Sequence, residues 1–152
     1  MNEAEAMELA LAEAEAAPEH DDVPVGAVLL SPQGELLAAG HNVRERDQDP
    51  LGHAELVVIR QACRKLETWR LDGCTLVVTL EPCAMCAGAL VQSRVRRLVY
   101  GALDPKAGAV SSLYDLVRDQ RVNHVLEVEG GLEEAASAAL LSHFFTTRRG
   151  NE

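Results

Sequence analysis

Thr75-Leu76-Val77-Val78-Thr79-Leu80-Glu81-Pro82-Cys83-Ala84-Met85-Cys86 is the stretch whose reading decides the fold. Residues 75–80 are β-branched and apolar and read as a strand. The strand runs straight into Pro82, which suits the first turn of a helix because its missing N–H would have no partner there. That helix is expected to carry Cys83 to about Ser93. A strand feeding directly into a helix is the repeating unit of an α/β protein.

The flanking sequence extends the same alternation. Upstream, Val25-Gly26-Ala27-Val28-Leu29-Leu30 reads as a buried strand, Ser31-Pro32-Gln33-Gly34 as a turn, and Leu36 to Asn42 as its hairpin partner. A polar loop from Val43 to Gly52 precedes a helix over His53 to Lys65. Ala4, Met7, Leu11 and Ala14 recur at helical spacing, so residues 2–16 read as an amphipathic helix that ends before Pro18. Downstream the pattern predicts a strand over Arg97 to Gly101, a short helix near Ser112 to Val117, and a strand near His124 to Val128. A last helix follows Gly130-Gly131, with Leu132, Ala136, Leu140 and His143 or Phe144 on one face. The expected architecture is a three-layer α/β/α domain over residues 1–152, with a mixed sheet of about five strands flanked by helices.

At 152 residues the chain is long enough for one well-buried core and too short for two ordinary domains. The first residues are acidic and polar, the opposite of a secretory or transit peptide, and no apolar run approaches the length of a membrane span. Four cysteines, two of them in Cys-x-x-Cys, fit metal binding in a reducing compartment better than a disulfide framework, which points to a cytoplasmic protein. The net charge is −10, but −8 of it falls in residues 1–22, which hold no Lys or Arg, so a solvated helix face is expected there. Elsewhere Arg94, Arg96 and Arg97 cluster, as do Arg148 and Arg149, so a polyanionic partner remains compatible with the charge.

The chemistry lies in Cys83-Ala84-Met85-Cys86 taken together with His53-Ala54-Glu55. Cysteines three apart on a helix share one face, and a helix start favours the thiolate that ligates metal. A bare Cys-x-x-Cys is equally a redox dithiol or half of a structural zinc site. His53 supplies a third ligand from the start of another helix, and three protein ligands leave tetrahedral zinc one position for water. Zinc lowers the pKa of that water from about 15.7 to near 7. Glu55, two residues from His53 and on a different face, suits a group that takes the water proton and returns it to a ring nitrogen and a departing amine. These residues support hydrolytic deamination of a heterocycle. Cys63 and Cys74 read as core thiols, and His20, His41, His124 and His143 as surface or packing residues.

With these residues placed, the chain resembles the bacterial tRNA-specific adenosine deaminases of the cytidine-deaminase-like superfamily. The likeness runs through Val23-Pro24-Val25-Gly26-Ala27-Val28, Asn42, Asp49-Pro50, His53-Ala54-Glu55 and residues 79–89. It continues through Gly101-Ala102, Asp104, Lys106, Gly108-Ala109, Asn123-His124 and the tail Leu140 to Phe145 with Arg148-Arg149. Leu51-Gly52 stands where that pattern carries Thr and a small residue, and Ser111 where it carries glycine.

The resemblance implies conversion of adenosine to inosine at the wobble position of an anticodon, by a homodimer that meets the tRNA anticodon stem-loop with both subunits. It implies one Zn2+ per subunit on His53, Cys83 and Cys86, with Glu55 as proton shuttle. It further implies that Asn42, the Ala54 backbone N–H and the Pro82 carbonyl hold the flipped base, and that Val25 and Val28 wall its pocket. Asp104 and Lys106 are then placed by neighbouring nucleotides, and Phe144, Phe145 and Arg148 by the anticodon loop. The alternative with the same metal site is a deaminase of a free guanine- or cytosine-type base or nucleoside, whose pocket is usually closed by its own C-terminal segment.

Overall fold

Gly26 packs so tightly that a Cβ there would lie 1.9 Å from the Ala10 carbonyl oxygen, and this contact fixes how the first helix sits on the sheet. In the computed structural model, which describes residues 1–150 and the side chains of 1–148, helix α1 spans Glu3–Ala16. Its start is a capping box: Asn2 Oδ1 accepts from the Glu5 N–H at 2.8 Å, and Glu5 Oε1 accepts from the Asn2 N–H at 3.0 Å. The buried stripe is Ala6, Met7, Ala10 and Ala14, rotated from the expected Ala4/Leu11 face. Small side chains at Ala10 and Ala14 let the helix backbone touch the sheet. Met7 fills the remaining space, a burial worth about 1.5–3 kcal/mol.

The sheet holds five strands in the order β2-β1-β3-β4-β5, with β1 Gly26–Leu30, β2 Leu36–His41, β3 Thr75–Leu80, β4 Arg97–Ala102 and β5 Glu127–Gly130. β1 is antiparallel to β2 and β3, whereas β3, β4 and β5 run parallel. The turn between β1 and β2 is closed by the Gly34 N–H donating to the Ser31 carbonyl at 2.9 Å, with Gly34 at φ 83°. One sheet face packs on α1 through Val28, Leu30, Val77 and Val99. The other packs on α3 (Ala54–Leu66) and α4 (Ala84–Gln92) through Ala27, Leu29, Leu76, Val78 and Leu98. Helix α5 (Glu134–Gly150) lies beside α1 and over β4, where Gly101 has no room for a Cβ against Ser137 Oγ at 2.5 Å. This is the expected three-layer α/β/α architecture.

Local structure departs from expectation at four places. Residues 112–117 are irregular instead of helical, because the Ser112 amide is drawn to Glu81 and those of Leu113 and Leu116 to the Gly108 and Ala109 carbonyls. β5 begins at Glu127, three residues later than expected, since His124 is turned aside to meet the Val95 carbonyl at 2.7 Å. A 3-10 turn over Ala17–His20 carries Pro18, and a short helix α2 over Arg44–Asp47 interrupts the polar loop. The acidic N-terminal segment is less solvated than its composition suggests. Arg97 binds Glu3 (2.7 and 2.9 Å) and Glu129, which staples α1 to β4 and β5. Glu13 and Asp22 pair with histidines. Among the described residues, no helix is long and apolar enough to cross a membrane.

Candidate active site

His41 pairs with Gly26, and β1 runs opposite to β3, so the end of β2, the start of β1 and the carboxyl ends of β3 and β4 meet at one edge of the sheet. Ligands favour this kind of edge because helix starts converge on it. Two helix starts do so here. His53 is the N-cap of α3, with φ −86° and ψ 148°, and Cys83 is the N-cap of α4, with φ −75° and ψ 177°. Cys83 therefore stands just before the helix and Cys86 one turn in, instead of both lying within its first turn.

The structure brings His53, Cys83 and Cys86 together with all donor atoms within 4.8 Å of one another. Cys83 Sγ and Cys86 Sγ are each 3.5 Å from His53 Nδ1. Zinc bonds of about 2.05 Å to nitrogen and 2.3 Å to sulfur at tetrahedral angles put N and S about 3.5 Å apart. The donor set thus has the size of a tetrahedral face around that ion. Its electrostatics agree. The Cys86 thiol, opposed by burial and helped by His53, holds the Cys83 thiol down to about 3. The Cys83 sulfur and burial then push Cys86 far upward. One thiol of the pair ionises readily, and the second, buried beside that charge, needs a cation, which is what a metal supplies.

Glu55 lies in the first turn of α3, 4% exposed, and burial pushes its carboxyl up to about 6. It lines, with His53 and Cys83, a cavity of about 810 Å³. Cys63 and Cys74 are thiols raised by burial, with Cys74 inside the core.

Glu81, to which the sequence reading gave no role, holds the loop beside the site. It is 2% exposed, yet its carboxylate accepts from the N–H groups of Asp104 (3.0 Å), Val110 (3.1 Å), Ser111 (2.7 Å) and Ser112 (2.9 Å), and from the Ser112 hydroxyl. Burial alone would raise its pKa; the Ser112 hydroxyl and the loop amides outweigh it and bring the group down to about 2. Gly108 lies so close that a Cβ would sit 2.3 Å from Glu81 Cδ. One buried carboxylate thereby pins the 103–112 loop against the metal set, with Cys83 bridged to Gly108. An acid between an apolar strand and a proline was the available signal.

The other expected site residues divide. Val25, Asn42, Asp104, Lys106, Phe145 and Arg148 line the cavity. Val28 does not: strand alternation turns it to the opposite face, where it is wholly buried against α1. The Ala54 N–H is already donated to Asn42 Oδ1 at 2.8 Å, which leaves the Asn42 Nδ2 donor for the cavity. The Pro82 carbonyl accepts from the Ala109 N–H at 2.8 Å and also serves the loop. Phe144 is 8% exposed and docks α5, edge-on to the exposed Phe145 with centroids 5.3 Å apart. Arg148 lies over the Phe144 ring at 5.2 Å and reaches Asp21 at 3.5 Å. The side chain of Arg149 lies outside the described residues. Asp22 and Arg44 are among the lining residues that the sequence did not single out.

A three-layer fold with a His/Cys/Cys metal set and a buried glutamate beside it is the arrangement of the zinc deaminases. In keeping with that class, residues 1–149 match the MafB19-like deaminase family. A tRNA-specific adenosine deaminase of Bacillus subtilis is 50% identical over 143 residues, covering 94% of this chain and 88% of the relative. A solved tRNA:A34 deaminase, from work on A-to-I editing at the wobble position of transfer RNA, is 47% identical at a TM-score of 0.87, covering 90% of this chain and 99% of the other. A guanine deaminase from Nitrosomonas europaea superposes with a TM-score of 0.81 at 28% identity, covering 94% of this chain and 84% of that one. The chain belongs to the tRNA-specific adenosine deaminase family.

Proposed function

We propose that the protein hydrolyses adenosine to inosine at the wobble position of a tRNA anticodon, with Zn2+ held by His53, Cys83 and Cys86. The observation that carries this reading is Glu55: a buried carboxyl, raised to about 6, beside a donor set already spaced for zinc and facing an 810 Å³ cavity. When bound, zinc supplies the Lewis acidity that makes water nucleophilic near neutral pH. Glu55 takes a proton from the attacking water and gives it to N1 of adenine as the C6–O bond forms. It then takes the second water proton from the new C6 hydroxyl and gives it to the amine, so that C6=O forms as the C6–N bond breaks and ammonia leaves. A pKa near the working pH suits a group that must both accept and donate.

The rest of the chain orients the base. Asn42, fixed by the Ala54 N–H, turns its Nδ2 donor to an acceptor on the flipped nucleotide. Asp104 caps its own turn, accepting from the Lys106 and Ala107 N–H groups at 3.1 and 3.2 Å, and so shapes the loop that carries Lys106 to the rim. Phe145 offers an exposed ring and Arg148 a cation where the flanking nucleotides and phosphates of an anticodon loop would lie. A wobble adenosine is already unpaired, so flipping it costs little. We infer a cytoplasmic location from the tRNA substrate, and, from the family resemblance, a homodimer whose two subunits share the RNA.

The test is incubation of the zinc-loaded protein with a tRNA carrying adenosine at the wobble position, read for inosine by reverse transcription. Conversion confined to that adenosine, and lost in Glu55→Ala, supports the proposal. Deamination of free guanine with no change in the tRNA would select the second reading, which the likeness to guanine deaminase keeps open.

A further inference from the structure

Beside the active cavity, two histidines face each other across three elements of the fold. His20 ends the 3-10 turn and His41 ends β2, and their Nε2 atoms are 3.2 Å apart. Each ring's other nitrogen is committed to a carboxylate. His20 Nδ1–H donates to Asp22 Oδ2 at 2.6 Å, and His41 Nδ1–H donates to Glu13 Oε1 at 2.9 Å. Asp22 is itself held in place, 2% exposed and accepting from the Glu45 and Arg46 N–H groups at 2.8 and 3.1 Å. With both Nδ1 atoms so used, the Nε2 atoms of the two rings are turned towards each other. Lone pairs at this distance repel unless an electropositive centre lies between them.

We propose that His20 and His41 form a second metal site, separate from the catalytic one, for a divalent cation of the zinc class. Three features support this. First, an imidazole that donates its other N–H to a carboxylate is the usual outer-shell arrangement of a metal-ligating histidine, and here it occurs twice. Second, two Zn–N bonds of about 2.05 Å at the tetrahedral angle place their nitrogens about 3.3 Å apart, close to the 3.2 Å observed. The same comparison holds at His53, Cys83 and Cys86. Third, the rings are 21% and 18% exposed, which gives a cation a way in and leaves water to fill its remaining positions. The acidic residues 1–22 favour a cation there. Occupation ties α1, the end of β2 and, through Asp22, the start of α2 into one unit at the rim of the cavity.

The test is calorimetric titration of the zinc-loaded protein with ZnCl2. A second equivalent is expected, weaker than the first by on the order of 100-fold or more, because two neutral imidazoles replace an imidazole and two thiolates. His20→Asn and His41→Asn should each abolish it, and His143→Asn, an exposed histidine on α5, should leave it unchanged. Glu13→Gln should weaken it by about 10–100-fold, the range for loss of an outer-shell partner. In the unmutated protein, zinc should shift the ring-nitrogen resonances of His20 and His41 together, a readout independent of whether the variants fold. No second equivalent, one that survives in both histidine variants, or a shift confined to one ring overturns the proposal; the first of these leaves a pair bridged by a proton.

Discussion

Glu55 and Glu81 are both almost fully buried, and each stands two residues from a metal-ligating position, yet their surroundings drive them in opposite directions. Around Glu81 the 103–112 loop closes with four N–H groups and a hydroxyl, and the carboxyl falls to about 2. Glu55 meets an open cavity, so burial prevails and its carboxyl rises to about 6. Burial alone therefore does not assign a role to an acidic residue. The number of donors aimed at it decides whether it is a permanent anion that holds a loop or a group poised to move a proton.

Exchanging the carboxylates for amides sharpens this contrast, and Glu55→Gln should give the largest effect. Turnover of wobble adenosine should fall by about 10²–10⁴-fold, the usual contribution of a general acid–base group. Zinc content and melting temperature should stay unchanged. Loss of the metal together with activity would make Glu55 a structural residue and erase the distinction.

Glu81→Gln should act on stability instead. It sets an amide among donors that need an acceptor, and the gap between an ordinary 4.5 and about 2 corresponds to about 3 kcal/mol at about 1.36 kcal/mol per unit. The folded value lies below the unfolded one, so this stability is fully present above pH 4.5 and is lost as pH falls towards 2. Denaturant midpoints across that window should decline for the wild type and run flatter for Glu81→Gln. Parallel curves would mean that Glu81 does not hold the loop.

Most of the fold and the whole metal set were legible in the sequence, because each rested on a local rule. Gly34 after Ser31 encodes a turn, Pro82 a helix start, and Cys83 with Cys86 a shared helix end. What stayed hidden depends on contacts between distant residues. Nothing near Ser112 says that its amide answers a carboxylate 31 positions earlier, so that stretch read as a helix. The Ala54 N–H looked free because Asn42, 12 residues away, takes it only in the fold. Val28 was placed in the pocket with Val25 although an odd separation along an extended chain puts them on opposite sides. Val28→Ala should cost about 2 kcal/mol of stability, as an emptied core position does, with KM unchanged. A raised KM would return Val28 to the pocket wall.

The smallest effect, and the one that bears on RNA, concerns Arg148. Half exposed, it stands on the Phe144 ring and reaches the carbonyl and carboxylate of Asp21 at 3.4 and 3.5 Å. A phosphate at the rim must compete with that carboxylate for the same guanidinium. Arg148→Ala should weaken tRNA binding by about 5-fold, and should lower the slope of log K against log salt by about 0.7, as expected for one single-strand phosphate contact. Asp21→Asn removes the competitor and should tighten binding, with the slope kept or increased. The opposite signs matter more than either magnitude, because a general disturbance of α5 would weaken binding in both variants. If both variants bind as the wild type does, Arg148 belongs to the packing of α5 with Phe144, and Phe145 and Lys106 are left to meet the RNA.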